Sequence, residues 1–273
     1  MSELDLPTVD LFSLPPALTV LPARVPEERI VHILGVGITD VTRARAVQLI
    51  YEMIDAYNGQ SQSVFFVNAH TLNLATTDRS YREILNAGST VFGDGTGVRW
   101  AARMKGIHLR DNLNGTDLVP ELLGCMPGRR YYLLGSDPET IRRAAAVAEM
   151  HFPNWTLAGF HHGYLAYAGA SAEVVRQISA ARPDVLLVGM GNPRQERWIH
   201  EHQSQLRVPV CMGIGGLFDF WAENVSRAPQ WLRRIGHEWI WRLFQQPSDK
   251  ARRYLLGNPL FLLRAWTDRK SLG

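Results

Sequence analysis

From Ile30 to Met212 the chain repeats one alternation, a short apolar run followed by a stretch long enough for a helix. The runs are 30–34 (IVHIL), 63–67 (SVFFV), 89–92 (STVF), 130–134 (RYYLL), 155–160 (WTLAGF), 184–188 (DVLLV) and 208–212 (VPVCM). Between them lie helix-length stretches at 41–57, 70–86, 116–126, 137–151, 171–181 and 193–204. A strand buried on both faces reads as a nearly continuous apolar run, and parallel strands need long crossovers, usually helices. The alternation therefore predicts an α/β fold, a parallel sheet covered on both faces.

Composition narrows the class further. With 273 residues, 46% hydrophobic and 20% charged, the chain is not fibrous, collagenous or disordered. Its two cysteines, Cys125 and Cys211, lie far apart and outside any CxxC pattern, as expected in a reducing compartment. No stretch approaches the roughly 18 apolar residues of a membrane span. The first residues, Met1-Ser2-Glu3-Leu4-Asp5, are acidic, and Pro15, Pro16 and Pro22 break the nearby apolar stretch. A secretory signal is not expected, and a cytoplasmic location is.

The net charge of +3 hides an asymmetry. Residues 227–273 hold ten Lys and Arg against Glu238, Asp249 and Asp268, a net +7, while the rest carries 19 basic against 23 acidic residues, a net −4. The same segment holds Trp231, Trp239, Trp241 and Trp266, four of the eight tryptophans. In 229–245, Trp231, Ile235 and Trp239 make an apolar stripe, and Arg234, Glu238 and Arg242 recur at the same spacing on another face. Further helical segments are expected at 249–256 and 259–267. Such a tail points to an anionic partner. The expected layout is a loose leader, 1–27, with five prolines; an α/β core, 28–226; and a basic, Trp-rich helical appendage, 227–273.

Ligands of parallel α/β sheets bind at the carboxyl ends of the strands, where loops lead into helix N-termini. Five such ends carry Gly or Asn: Val67-Asn68-Ala69-His70, Gly93-Asp94-Gly95-Thr96-Gly97, Gly135-Ser136-Asp137-Pro138, Gly189-Met190-Gly191-Asn192-Pro193 and Gly213-Ile214-Gly215-Gly216. Together they predict a crevice in which backbone can approach a phosphate. Asp94, between two glycines, is its most prominent carboxylate. By position it could act as a general base, bind a sugar hydroxyl, or cap the helix that starts at Thr96.

Several chemistries lack their signatures. Gly35-Val36-Gly37 has no third glycine, Asp40 follows where a pyrophosphate would be repelled, and no GxxxxGK[ST] occurs. No Cys/His set has zinc spacing, and His161-His162 reads as a surface pair. There is no Asp-x-Asp to hold a metal on a diphosphate. Neither a metal nor a cofactor is therefore expected, and backbone amides and arginines would neutralise any phosphate.

Taken in order, Asn68, Gly93-Asp94-Gly95, Asn114-Gly115-Thr116-Asp117-Leu118, Gly191-Asn192-Pro193-Arg194-Gln195-Glu196 and the segment from Arg227-Ala228-Pro229 to Glu238-Trp239 resemble the WecG/TagA/CpsF family of bacterial glycosyltransferases. The resemblance runs from about Ile30 to about Tyr254. It implies a Rossmann-like core and inverting transfer of a sugar from a UDP-sugar to a saccharide on a polyprenyl diphosphate. It also implies a C-terminal appendage that docks on the cytoplasmic face of the inner membrane and completes the site. By resemblance Asp94 is the base, Asn68 and Gln195 line the donor pocket, and Arg242 and Arg252 meet the diphosphates.

Three positions depart from the family pattern. Phe66 stands where a Thr is frequent, Asn112 where an Arg is, and Asp249 where a basic residue is usual, with Lys250 the substitute. These departures leave the donor sugar open between glucose and an N-acetylmannosamine type. A homo-oligomer is compatible with the sequence. Two rival classes are disfavoured. An NAD(P)-dependent oxidoreductase needs a full glycine fingerprint with an acid about 20 residues on. A nucleic-acid-binding module needs basic residues free of the apolar stripe they share here.

Overall fold

Six parallel strands form the sheet that the alternation predicts, in the order β4-β3-β8-β7-β5-β6. They are β3 (Gln62–Val67), β4 (Thr90–Gly93), β5 (Arg130–Gly135), β6 (Thr156–His161), β7 (Val185–Gly189) and β8 (Val210–Gly213). The computed structural model describes residues 28–125, 127–165, 169–226, 228–229, 232, 238–245 and 255–268. The expected leader thus lies outside the described residues, as does most of the predicted 249–256 segment.

Alternate side chains along each strand enter two separate cores. Phe66, Leu133, Leu187 and Met212 join a core with α1 (Arg43–Asp55), α5 (Gly115–Cys125), α6 (Pro138–His151) and α9 (Leu217–Trp221). Phe65, Leu134, Val188 and Cys211 join the other. That second core takes α2 (Ala69–Thr77), α3 (Arg79–Ala87), α4 (Thr96–Met104), α7 (Ala170–Ala181) and α8 (Arg194–Leu206). Fully burying one such aliphatic or aromatic side chain contributes about 1.5–3 kcal/mol, which explains why these strands read as unbroken apolar runs. The α/β, Rossmann-like class is the observed one.

Two sequence expectations are corrected. The run 30–34 is not a strand of the parallel sheet. It is β1 (Arg29–Ile33), paired antiparallel with β2 (Val36–Asp40) in a separate two-stranded ribbon beside β4. Leu34 and Gly35, at φ 51° and 77°, make the tight turn between them, as a two-residue hairpin loop requires positive φ. Gly35 and Gly37 are therefore hairpin residues. Asp40 is buried in an ion pair with Arg29 and accepts the Arg110 N–H at 2.8 Å. The single helix expected over 70–86 is broken at Asp78, whose carboxylate accepts the Tyr81 N–H at 2.9 Å and starts α3 afresh. Asp caps a helix better than it continues one.

Beyond α9 the described residues form α10 (Glu238–Gln245) and α11 (Gly257–Asp268). Phe261 and Ala265 of α11 are buried in the second core, against α2 and α4. Polar bonds fasten both ends of the helix. Asn73 Nδ2 donates to the Gly257 carbonyl at 2.7 Å, and Arg264 donates to Asn73. Asp268 pairs with Lys105 at 2.7 Å and accepts the Leu34 N–H. Among the described residues no helix is long and apolar enough to cross a membrane.

Candidate active site

The carboxyl ends of β4, β3 and β8 are adjacent, and three of the sequence-predicted residues gather there. β3 and β4 run in register to their last residues, Val67 opposite Gly93, so Asn68 and Asp94 leave neighbouring strand ends. The Asp94 N–H donates to the Val67 carbonyl at 2.8 Å, and the Leu113 N–H donates to that of Gly93 at 3.0 Å. Gly95 follows at φ 89°, with its N–H held by Asn112 Oδ1 at 2.6 Å. The turn that presents Asp94 is thus pinned on both sides of the carboxylate.

The N-cap residue of α4 is Gly95, so Asp94 precedes the cap position. Two further glycines nearby mark close approaches, tight at Gly97 and of ordinary contact at Gly115. A Cβ on Gly97 would lie 3.2 Å from that of Ala69 and 3.5 Å from the Phe261 ring, and one on Gly115 would lie 3.4 Å from Ile214. These contacts set the first turn of α4 against that of α2, and the first turn of α5 against the loop after β8. Asn68 caps α2. Its Oδ1 accepts from the His70 and Thr71 amides at 3.0 and 3.3 Å, and Thr71 Oγ1 returns the favour to its backbone N–H at 2.7 Å. Oδ1 is committed to the cap, so the acceptor end of the Asn68 amide is spent on its own helix.

Gln195 sits lower. Its side chain is 1% exposed, and both ends of its amide are engaged. Nε2 donates to Glu196 Oε1 at 2.8 Å and Oε1 accepts the Gly215 N–H at 3.1 Å. A Cβ on Gly213 would come within 3.0 Å of that Nε2. Gln195 therefore forms the floor under the loops after β7 and β8. Burial raises the Glu196 carboxyl above the ordinary carboxylate range, because the charged form loses its water. Burial likewise raises the Tyr81 hydroxyl, and the neighbouring Glu196 adds to the effect.

Arg242 and Arg252 are not brought to these strand ends by anything described: Arg252 and the Arg242 side chain lie outside the described residues. The His161 and His162 rings lie tilted against each other at the end of β6, their centroids 4.4 Å apart. Asn112, Asn192, Tyr81 and Glu196 were absent from the residues expected to bind or react. Asn112 was visible only as a departure, and Glu196 only as part of a motif, because nothing in local spacing announces a partner in another loop. Phe66, the other departure within the core, is buried and pairs with the Phe92 ring at 5.8 Å.

Residues 31–272 match the family described as Glycosyl transferase WecG/TagA/CpsF. The chain belongs to this family. It is a glycosyltransferase of the WecG/TagA/CpsF type. Among its relatives is the N-acetylglucosaminyldiphosphoundecaprenol N-acetyl-beta-D-mannosaminyltransferase of Staphylococcus aureus (strain MW2). That protein is 33% identical over 236 residues, covering 86% of this chain and 91% of the relative. A protein of the same name from Bacillus subtilis (strain 168) is 31% identical over 207 residues, 75% of this chain and 79% of the relative.

Proposed function

We propose that this WecG/TagA/CpsF-type enzyme moves a hexose-type sugar from a UDP-sugar to a saccharide carried on a polyprenyl diphosphate, with inversion, in the synthesis of a bacterial cell-surface polysaccharide. The observation that carries this reading is the placement of Asp94, on a pinned, glycine-flanked turn one strand from Asn68. An inverting transfer needs one base beside the acceptor and no carboxylate nucleophile (by analogy with glycoside hydrolysis,). In the proposed step the acceptor hydroxyl oxygen attacks the anomeric carbon and its proton passes to Asp94. The bond from that carbon to the UDP oxygen breaks, and UDP leaves with the electron pair. Asn68 Nδ2 and the backbone amides of the glycine loops face the donor, with Gln195 beneath them.

The relatives' names support a lipid-diphosphate acceptor, and their β-linkage is the product that inversion gives from an α-linked donor. They favour an N-acetylmannosamine-type sugar. Phe66, an apolar ring where a hydroxyl is frequent, favours glucose instead. Residues 227–273 form, in this reading, an appendage that holds the enzyme on the cytoplasmic face of the inner membrane and brings Arg242 and Arg252 to the diphosphates. Leu256, Leu260 and Leu263 support it: they recur at helical spacing, and all are exposed. Basic residues near an anionic surface add about 1 kcal/mol each.

The test is a panel of radiolabelled UDP-sugars assayed with lipid-diphosphate acceptors. Transfer from UDP-N-acetylmannosamine or UDP-glucose is the expected result, and transfer from neither overturns the reading. Chelation by EDTA is expected to leave the rate unchanged.

A further inference from the structure

Glu196 is the most deeply buried carboxyl among the described residues, at 0% exposure, and the reaction proposed above gives it no task. It draws together three other side chains. Asn192 Nδ2, from the loop after β7, and Gln195 Nε2 both donate to its Oε1. The Tyr81 hydroxyl, from α3, faces the same carboxyl. Tyr81 Oη and Glu196 Oε2 are buried and make no well-formed hydrogen bond among the described residues.

The consequence lies one bond further on. A glutamine amide can sit either way round, and its orientation is set by what its two ends meet. Gln195 presents Oε1 to the Gly215 N–H, which leaves Nε2 a buried donor that needs an acceptor of its own. Glu196 is that acceptor. Without it Nε2 is a buried donor with no partner, and because turning the amide over would only set NH2 against the Gly215 N–H, the side chain must leave its seat to find an acceptor. Gly215, at φ 63° with open space around its Cα, would then lose the partner that holds its amide. Asn192 would be released as well, freeing the Gly191 turn.

We propose that Glu196 is a positioning residue of the donor site: its buried carboxyl sets the Gln195 amide and ties down Asn192, and so holds the loops after β7 and β8 at the spacing a nucleotide diphosphate enters. The proposal rests on the reading of that crevice as the donor site. What matters is an acceptor oxygen at the right distance, not negative charge.

The charge-free isostere and the shortened acid separate these possibilities. In Glu196→Gln the new carbonyl can take both amide bonds while its NH2 meets the Tyr81 hydroxyl. In Glu196→Asp the charge survives, but the oxygen retreats by one methylene. UDP affinity by calorimetry, with donor KM and kcat, is measured for wild type, Glu196→Gln, Glu196→Asp and Glu196→Ala. Glu196→Gln is expected to stay within about threefold of wild type, whereas Glu196→Asp and Glu196→Ala raise UDP Kd and donor KM by about tenfold or more, with a smaller change in kcat. The reverse order, with Asp tolerated and Gln damaging, overturns the proposal, as does wild-type donor KM in Glu196→Asp. If Glu196→Ala does not fold, the Gln and Asp pair decides. Wild type that binds no UDP or UDP-sugar removes the donor-site reading itself, and the proposal with it. Wild type that binds, beside an Asp variant that binds equally well, removes only the positioning role.

Discussion

The Asp94 turn leads into α4 and helix α11 (Gly257–Asp268) packs on α4, yet the two are held by different forces. The turn is fixed by hydrogen bonds: Val67 to the Asp94 amide, Asn112 to the Gly95 amide and Leu113 to the Gly93 carbonyl. Helix α11 is fixed by burial of Phe261 and Ala265, with polar clasps at its ends. The turn has no apolar side chain to spare, whereas the helix has two apolar faces. One of them packs on α2 and α4, and the other, with Leu260 and Leu263 and with Leu256 just before the helix, is exposed. The inward face makes α11 part of the core, so cutting the chain at 227 would remove core residues as well as any anchor. Point substitutions therefore test the tail better than deletion does.

The largest effect is expected at the turn. Asp94→Asn keeps the shape and the pinned backbone but cannot take a proton, so kcat should fall by about 10²–10⁴-fold. UDP affinity measured by calorimetry should change little. Turnover near wild type would leave Asp94 a structural residue and erase the contrast with the helix.

Next comes the inward face of α11. Phe261 is fully buried, and truncation to Ala leaves a cavity that costs about 3–5 kcal/mol. Urea denaturation should show that loss. A change below about 0.5 kcal/mol, the usual range for surface positions, would mean that α11 is not part of the core.

The outward face should behave in the opposite way. Changing Leu256, Leu260 and Leu263 together to Ser should barely move the urea midpoint but should reduce co-sedimentation with anionic vesicles. The remaining binding should weaken with salt, because the Debye length falls from about 10 Å at 0.1 M to about 3 Å at 1 M. Unchanged sedimentation at low and high salt would remove the membrane from the account of this face.

The smallest effect is a pH dependence outside both regions, at the buried Glu196 of α8. Glu196 has a raised pKa in the folded protein, so the folded state holds this proton more tightly than the unfolded chain does. Its contribution therefore favours folding at low pH and is lost as pH rises from the unfolded value, about 4.5, through the higher folded one. Glu196→Gln removes this term. Its stability relative to wild type should rise across that window and then level off, as followed by denaturation at a series of pH values. A flat difference would mean that Glu196 titrates alike in both states.

The alternation of apolar runs and helical stretches determined the sheet, because a strand covered on both faces must be apolar at nearly every position. The glycine and asparagine strand ends marked Asn68 and Asp94, because a turn at a parallel strand end needs backbone freedom and a helix cap, both written in adjacent residues. The sequence placed run 30–34 in the wrong sheet, since an apolar strand looks the same whichever partner it finds. Only the tertiary structure decided that Leu34-Gly35 turns the chain back on itself. It alone also decided that Asn112 holds Gly95 across 17 residues, that Gln195 bridges Glu196 and Gly215, and that Phe261 belongs to the core. Each of these depends on a donor, acceptor or apolar surface supplied by a distant segment, and local periodicity carries no record of which distant segments meet.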